Sequence, residues 1–260
     1  MNRKRMGVGT LTGAVVLAGL GAWAAVSVSA NAGESAAADA IPLKAAKLII
    51  EHNATAMDTG FQGFVDSEGW QSLELKGPDG KVVLSFTARR DLGKLGLTEL
   101  FFETVEPANA DVPIDEVLAT LPEGTYTFLG RASKPGGGPG PTKGTAVLTH
   151  RIPAGPKLIA PAQGAVIAHT NAVARWDAVT QTIKGGPLTI IAYQLIIEKD
   201  VAPHPNMIGK FGLSIYLPPS FTSLAIPDGF LEPGTKYKWE VLAIEESGNQ
   251  TLSTGEFSTR

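Results

Sequence analysis

Alternation of apolar and polar positions is clearest in residues 231–243, LEPGTKYKWEVLA. Tyr237, Trp239, Val241 and Ala243 share one parity, and Lys236, Lys238 and Glu240 share the other. A period of two predicts a strand with one buried and one wetted face. The turn Glu232-Pro233-Gly234-Thr235 leads into it. The same pattern recurs through the second half of the chain. Residues 171–176 (NAVARW) bring together either Ala172, Ala174 and Trp176 or Val173 with its neighbours, and residues 188–198 (LTIIAYQLIIE) put Ile191, Tyr193, Leu195 and Ile197 on one face. Residues 223–226 and 253–259, the latter with Phe257, supply two more strands.

The first half reads as short strands at 46–51, 70–75, 82–87, 98–104, 125–129 and 145–149, with a hairpin turn at Pro78-Asp79-Gly80. Short strands separated by turn residues predict a sandwich or barrel. Residues 111–121 break the pattern. Ile114, Val117, Leu118 and Leu121 fall at helical spacing behind Asp111 as N-cap and Pro113 in the first turn, which predicts one short helix over an end of the sandwich. Prolines 153, 156 and 161 resist helix and favour an extended bridge. The expected organisation is a mobile leader (33–42), a first domain (43–152), a proline-rich bridge (153–161) and a second domain (157–260) whose first strand the bridge supplies.

A tyrosine just after a Leu-x-Pro-Gly turn fits the tyrosine corner of immunoglobulin-like sandwiches. The order Pro161, Trp176, Tyr193, Leu231-x-Pro-Gly-x-x-Tyr237, Val241-x-Ala243 resembles a fibronectin type III domain over roughly the last 100 residues. Residues 201–220 depart from that pattern, being longer and richer in proline, and read as an extra edge strand at Gly212–Leu217 or a protruding loop. No Arg-Gly-Asp tripeptide supports an integrin-type reading. In the first domain, NATAMDTGFQGFVD, LTELFFETVEP and LTHRIPAGP are similar to exported bacterial β-sandwich proteins of unassigned activity. The expected fold class is all-β: two tandem immunoglobulin-like or fibronectin III-like sandwiches, with one short helix in the first.

Charge at the start changes the compartment. Arg3, Lys4 and Arg5 precede an uncharged run at 8–28, and Ala30-Asn31-Ala32 offers small residues for cleavage, so residues 1–32 read as a secretory signal peptide. The run is 21 residues long, enough to span a bilayer if uncleaved, which leaves a membrane anchor as the competing reading. No Arg-Arg pair marks a twin-arginine route. Removing those three basic residues from 22 leaves 19 against 25 acidic ones, a net charge of −6. That balance argues against nucleic acid or anionic membrane as the main partner. The absence of Cys excludes disulfides, thiolate zinc sites and a cysteine nucleophile.

Candidate chemistry is sparse. Glu51, Asp58, Asp66 and Glu68 lie close in sequence around Gly60 and Gly63, and an adaptable loop of oxygen ligands suits calcium. The spacing does not match a repeated Asp-x-Asp-x-Asp-Gly loop, and solvated loop charges are the favoured reading. Glu99, Glu103 and Glu106 flank Phe101 and Phe102; a carboxylate pair would suit glycoside hydrolysis, but acids alternating along a strand also mark its solvent face. His52, His150, His169 and His204 are scattered without zinc spacing, although His52 and His150 sit where they are able to meet. Gly-x-Ser-x-Gly is absent. The run at 135–144 (PGGGPGPTKG) has Thr142 before Lys143 and opens no helix, so it reads as a hairpin tip rather than a phosphate loop.

Trp176, Tyr193, Tyr237 and Trp239 read as core of the second domain and Trp70 as core of the first. Phe61, Phe64, Tyr216 and Phe221 stay open as exposed aromatic contacts. Asn53-Ala-Thr55 and Asn249-Gln-Thr251 match glycosylation sequons. No catalytic, cofactor or metal residue is assigned. The expected protein is a non-enzymatic, secreted or cell-surface binding or spacer module, monomeric, engaging an extracellular protein or polysaccharide, with membrane contact only through an uncleaved signal. The alternative is a metal-dependent carbohydrate-binding protein or hydrolase with its site in first-domain loops.

Overall fold

The computed structural model describes residues 40–133, 138 and 140–260. The signal-peptide reading, most of the leader and part of the glycine-rich run lie outside them. The first half holds β1 (Ile41–Pro42), β2 (Ala45–Asn53), β3 (Asp58–Lys76), β4 (Val82–Thr87), α1 (Arg90–Leu95), β5 (Leu97–Glu103), α2 (Ile114–Ala119), β6 (Gly124–Ala132) and β7 (Pro141–Leu148). The second half holds β8 (Leu158–Ala160), β9 (Ala165–Ile167), β10 (Val173–Trp176), β11 (Ile190–Lys199), β12 (Gly212–Leu217), β13 (Ser223–Ala225), β14 (Lys236–Glu245) and β15 (Gln250–Thr259).

The described residues are all-β apart from two six-residue helices, and the two halves share one plan. In the second half, β8-β10-β13 form one sheet and β15-β14-β11-β12 the other. In the first half, β3 serves both sheets. Its first part pairs β2 and β5, its second part pairs β4 and β6, and β6 continues to β7. The irregular register between Asp66 and Trp70 marks the crossing. Counting β3 as two strands, both halves run in the same order, three strands against four. This is the tandem fibronectin III-like sandwich architecture expected from sequence. In that frame β12 is no addition: it occupies the edge next to β11 as β4 does next to β3.

Both halves also carry a tyrosine corner. The Tyr237 hydroxyl accepts from the Glu232 amide at 2.8 Å. The Tyr126 hydroxyl donates to the Pro122 carbonyl at 2.9 Å. Residues 121–126 read LPEGTY beside LEPGTKY at 231–237, a second turn-plus-tyrosine signal that the sequence reading left unused. Each tyrosine ties the start of the next-to-last strand to the turn before it.

The cores follow the alternation. Tyr237, Trp239, Val241, Ala243, Trp176, Tyr193, Leu195, Ile197 and Phe257 fill the second core, with Tyr237 stacked on Phe257 at 5.4 Å. Leu48, Ile50, Phe61, Val65, Trp70, Leu73, Tyr126 and Phe128 fill the first, closed by Val117 and Leu118 of α2. Four expectations need correction. Ile191 points outward, because a bulge between Ile190 and Ala192 shifts its parity by one. The outer face of β14 is not simply wet: Leu242 packs with Ile196 and Leu252 in a third buried group. Pro113 is itself the N-cap of α2, with no side-chain cap from Asp111. Ile41 and Pro42, assigned to the leader, pair with Thr142 and Lys143.

The halves join through their sheets. Gln250, Thr251 and Leu252 of β15 run parallel to Glu51, His52 and Asn53 of β2. Asn249, 1% exposed, locks this seam. Its Oδ1 accepts from Ile50 N at 2.8 Å, and its Nδ2 donates to the carbonyls of Thr149 (2.8 Å) and Arg151 (2.9 Å). Thr251 Oγ1 donates to Pro153 O, and Thr55 Oγ1 accepts from Thr254 N.

Candidate functional site

The segment 58–66, read from sequence as an acidic loop, is the first part of β3. Its glycines serve strand packing. A Cβ at Gly63 would lie 2.2 Å from the Phe102 ring, and one at Gly60 would lie 2.7 Å from Glu106 Cγ. Gly60 pairs with Glu51 across β2 and β3, so its missing side chain is the space into which Glu106 folds.

The carboxylates consequently regroup. Glu68 pairs with Lys44 at 2.7 Å, and Asp66 sits opposite Glu99. Glu51 instead meets Glu103 and Glu106, taken from the other sequence group: one oxygen of each lies within 4.8 Å of the others. The four acids proposed for calcium therefore do not converge. Among the described residues no Lys, Arg or His forms an ion pair with Glu51, Glu103 or Glu106.

A ladder of amides runs through the group. Gln250 Nε2, from the second sandwich, donates to Glu51 Oε2 and lies 3.3 Å from Gln62 Oε1. Gln62 Nε2 donates to Glu103 Oε1 at 2.8 Å. Glu106 Oε1 is buried with no hydrogen-bond partner. Burial raises the Glu51 carboxyl to about 7, with the charges of Glu103 and Glu240 adding to it and the Gln250 donor opposing. Burial likewise raises Glu106 to about 8, helped by Glu51, Glu103 and Asp58. Like charges this close, with little water, cannot all ionise at neutral pH without cost. The group is built to retain a proton; three oxygens are also a partial ligand set for a hard cation.

Beside it, burial raises the Asp58 carboxyl and lowers His52, whose Nδ1 lies 2.9 Å from Thr59 Oγ1. His150 is engaged elsewhere, at Leu121 O. Trp70 and Phe61 are core, whereas Phe64 is half-buried and Tyr216 and Phe221 are exposed. The Tyr216 phenol is raised by partial burial and then by the charge of Glu51. Asn249 is too buried and too fully bonded to serve as a glycosylation acceptor in the folded chain. A separate open concavity of about 390 Å³, lined by Ile159, Ile167, Thr170, Asn171, Val173 and Arg175 among others, contains no carboxylate. Among the described residues no helix is long and apolar enough to cross a membrane.

Sequence reasoning missed Gln62, Gln250, Asn249 and the role of Gly60. One signal was present: Glu51 interrupts the apolar run LII of β2, where an unpaired charge is unexpected.

No family model matches the chain, and no curated protein matches it. Solved structures match it at low overall similarity. These include chicken CNTN1 FN1-FN3 domains (12% identity, 85% of this chain and 65% of that one, TM-score 0.33). A two fibronectin type-III domain segment from chicken tenascin shows 13% identity over 84% of this chain and 99% of that one, with a TM-score of 0.28. A tetra-tandem repeat in the extending region of a large adhesion protein shows 12% identity over 83% and 50%, with a TM-score of 0.28. The chain thus spans just under two thirds of the first and half of the third. The architecture stated above rests on strand order and pairing.

Proposed function

We propose that this is an exported, non-enzymatic spacer or binding protein in which two sandwiches act as one rigid body toward an extracellular protein or polysaccharide. The observation that carries the reading is the seam: β2 and β15 make one sheet, and Asn249 satisfies backbone groups of the first sandwich from within the second. A linker whose domains moved independently would leave those buried groups unpaired. The basic, apolar and small-residue pattern of residues 3–32 supports export. The second reading of the sequence, a metal-dependent lectin or hydrolase, loses the ligand set on which it was framed, because Asp66 and Glu68 lie apart from Glu51.

The test is a pull-down of the chain without residues 1–32 on insoluble glycans and cell-wall material, with small-angle scattering on the same sample. Retention on a polymer or recovery of a discrete partner, together with a scattering curve fitted by one rigid arrangement, is expected. No retention and no partner would overturn the binding role, and scattering that requires independent domains would overturn the rigid body.

A further inference from the structure

We infer that the seam between the two sandwiches is a proton-operated latch: Glu51, Glu103 and Glu106 let β2 hold β15 while the group keeps a shared proton, and full ionisation loosens the pairing. The inference goes beyond the spacer reading and does not depend on the partner.

The geometry carries it. Only three register pairs tie β2 to β15, and one of them is Gln250 with Glu51. Glu51 is 3% exposed, and Gln250, itself buried, lies across it. Glu103 is exposed and Glu106 half-buried, so both side chains keep some contact with water. Glu51 has no such contact and is held against Gln250 of β15. The Gln250 amide donates to Glu51, and the Gln62 amide donates to Glu103, so the ladder supplies dipoles but no positive charge.

The titratable groups facing this point from each packed element are few. From β2 come Glu51 and His52, the latter held by Thr59 and the Asp58 carbonyl. From β3 comes Asp58, from β5 Glu103, and from the segment after it Glu106. From β14 comes Glu240, paired with Lys238 at 3.1 Å, and from β12 comes Tyr216. β15 contributes Gln250 and no charge at the seam. The raised carboxyls of Glu51 and Glu106, each pushed up first by burial and then by neighbouring acids, agree with this arrangement.

The experiment is amide hydrogen exchange of the full chain between about pH 5.5 and about pH 9, with rates corrected for intrinsic exchange, comparing peptides over residues 49–55 and 249–255 with β14. Expected is a loss of seam protection of up to about tenfold per pH unit, the limit for one linked proton, as pH rises from about 5.5 through about 7, levelling off above about 8, while β14 stays protected. Glu51→Gln should flatten that dependence, and Glu106→Gln should move it to lower pH. Should Glu51→Gln fail to fold, carbon-detected NMR titration of the native glutamate carboxyls provides the check: at least one should titrate above about pH 6. Seam protection that tracks β14 throughout, or every carboxyl titrating below about pH 5.5, overturns the latch. Calcium is the remaining arm: millimolar calcium should leave the profile in place. Stoichiometric calcium binding that restores seam protection at high pH would make the trio a cation site and overturn the latch.

Discussion

Replacing Asn249 by Ala tests the coupling of the two sandwiches most directly. The substitution removes the acceptor for Ile50 N–H and the donor for the carbonyls of Thr149 and Arg151. Ile50 is fully buried, so its amide is left without a partner or water. An orphaned buried polar group costs about 1–3 kcal/mol. Thr149 and Arg151 are partly exposed, and water relieves their carbonyls in part. The expected loss is therefore about 2–3 kcal/mol, a large share of the 5–15 kcal/mol typical of a domain. In the chain without residues 1–32, which removes Trp23, the remaining tryptophans give each core its own reporter: Trp70 for the first, Trp176 and Trp239 for the second. Urea unfolding should be followed by fluorescence in a Trp70→Phe background and in a Trp176→Phe, Trp239→Phe background. With Asn249 present the two reporters should move together. With Asn249→Ala the midpoint should fall by roughly 1 M, from a urea slope of about 2–3 kcal/mol/M, and the two curves should separate. Coincident curves with an unchanged midpoint would refute the assignment of Asn249 as the lock.

Three further outcomes follow from the same contacts. Tyr126→Phe and Tyr237→Phe should each cost about 1 kcal/mol by thermal or chemical unfolding, since each removes one hydroxyl bond to the preceding turn; a neutral result in the first sandwich would reject its tyrosine corner. Gly63→Ala should destabilise by about 1–3 kcal/mol, because its Cβ must displace the Phe102 ring from Phe86, 5.9 Å away. Stability should also fall as pH rises. The folded state keeps the Glu51 proton to about 7 against an ordinary value of 4.5, so the unfolded chain releases its proton first. That contribution is fully present below about 4.5 and gone above about 7, on the order of 3 kcal/mol in all. Glu106 acts in the same direction, reduced by its exposure. Melting temperatures between pH 5 and pH 8 that rise instead would contradict the burial of Glu51.

Much of the fold was legible because strand periodicity is local. Tyr237, Trp239, Val241 and Ala243 announce their face within seven residues, and the Pro-Gly turn before them announces where the strand begins. The long strand β3 was half legible. Residues 70–75 alternate, but residues 58–66 contain two glycines and two acids, and such composition usually marks a loop. What makes them a strand is packing from outside: Phe102 fills the place of a Gly63 side chain, and Glu106 that of Gly60. Ile191 was misplaced for a similar reason, since one bulge reverses every parity count that passes through it.

Local pattern was enough to give two sets of alternating strands, a corner tyrosine behind a proline-glycine turn, mixed charge and no cysteine chemistry. Those properties depend on residues a few positions apart. Which acids meet and which edges join is set by long-range packing. Glu51 and Gln250 are 199 positions apart, and Glu51 and Glu103 are brought together by strands that pair in the order β2, β3, β5. Nothing in either local pattern selects the other, because sheet edges offer the same backbone donors and acceptors whatever their sequence. The choice is made where the surrounding side chains satisfy what pairing buries. Here that is done by Asn249 and by the amide ladder of Gln62 and Gln250, at the same seam that confines the charge of Glu51.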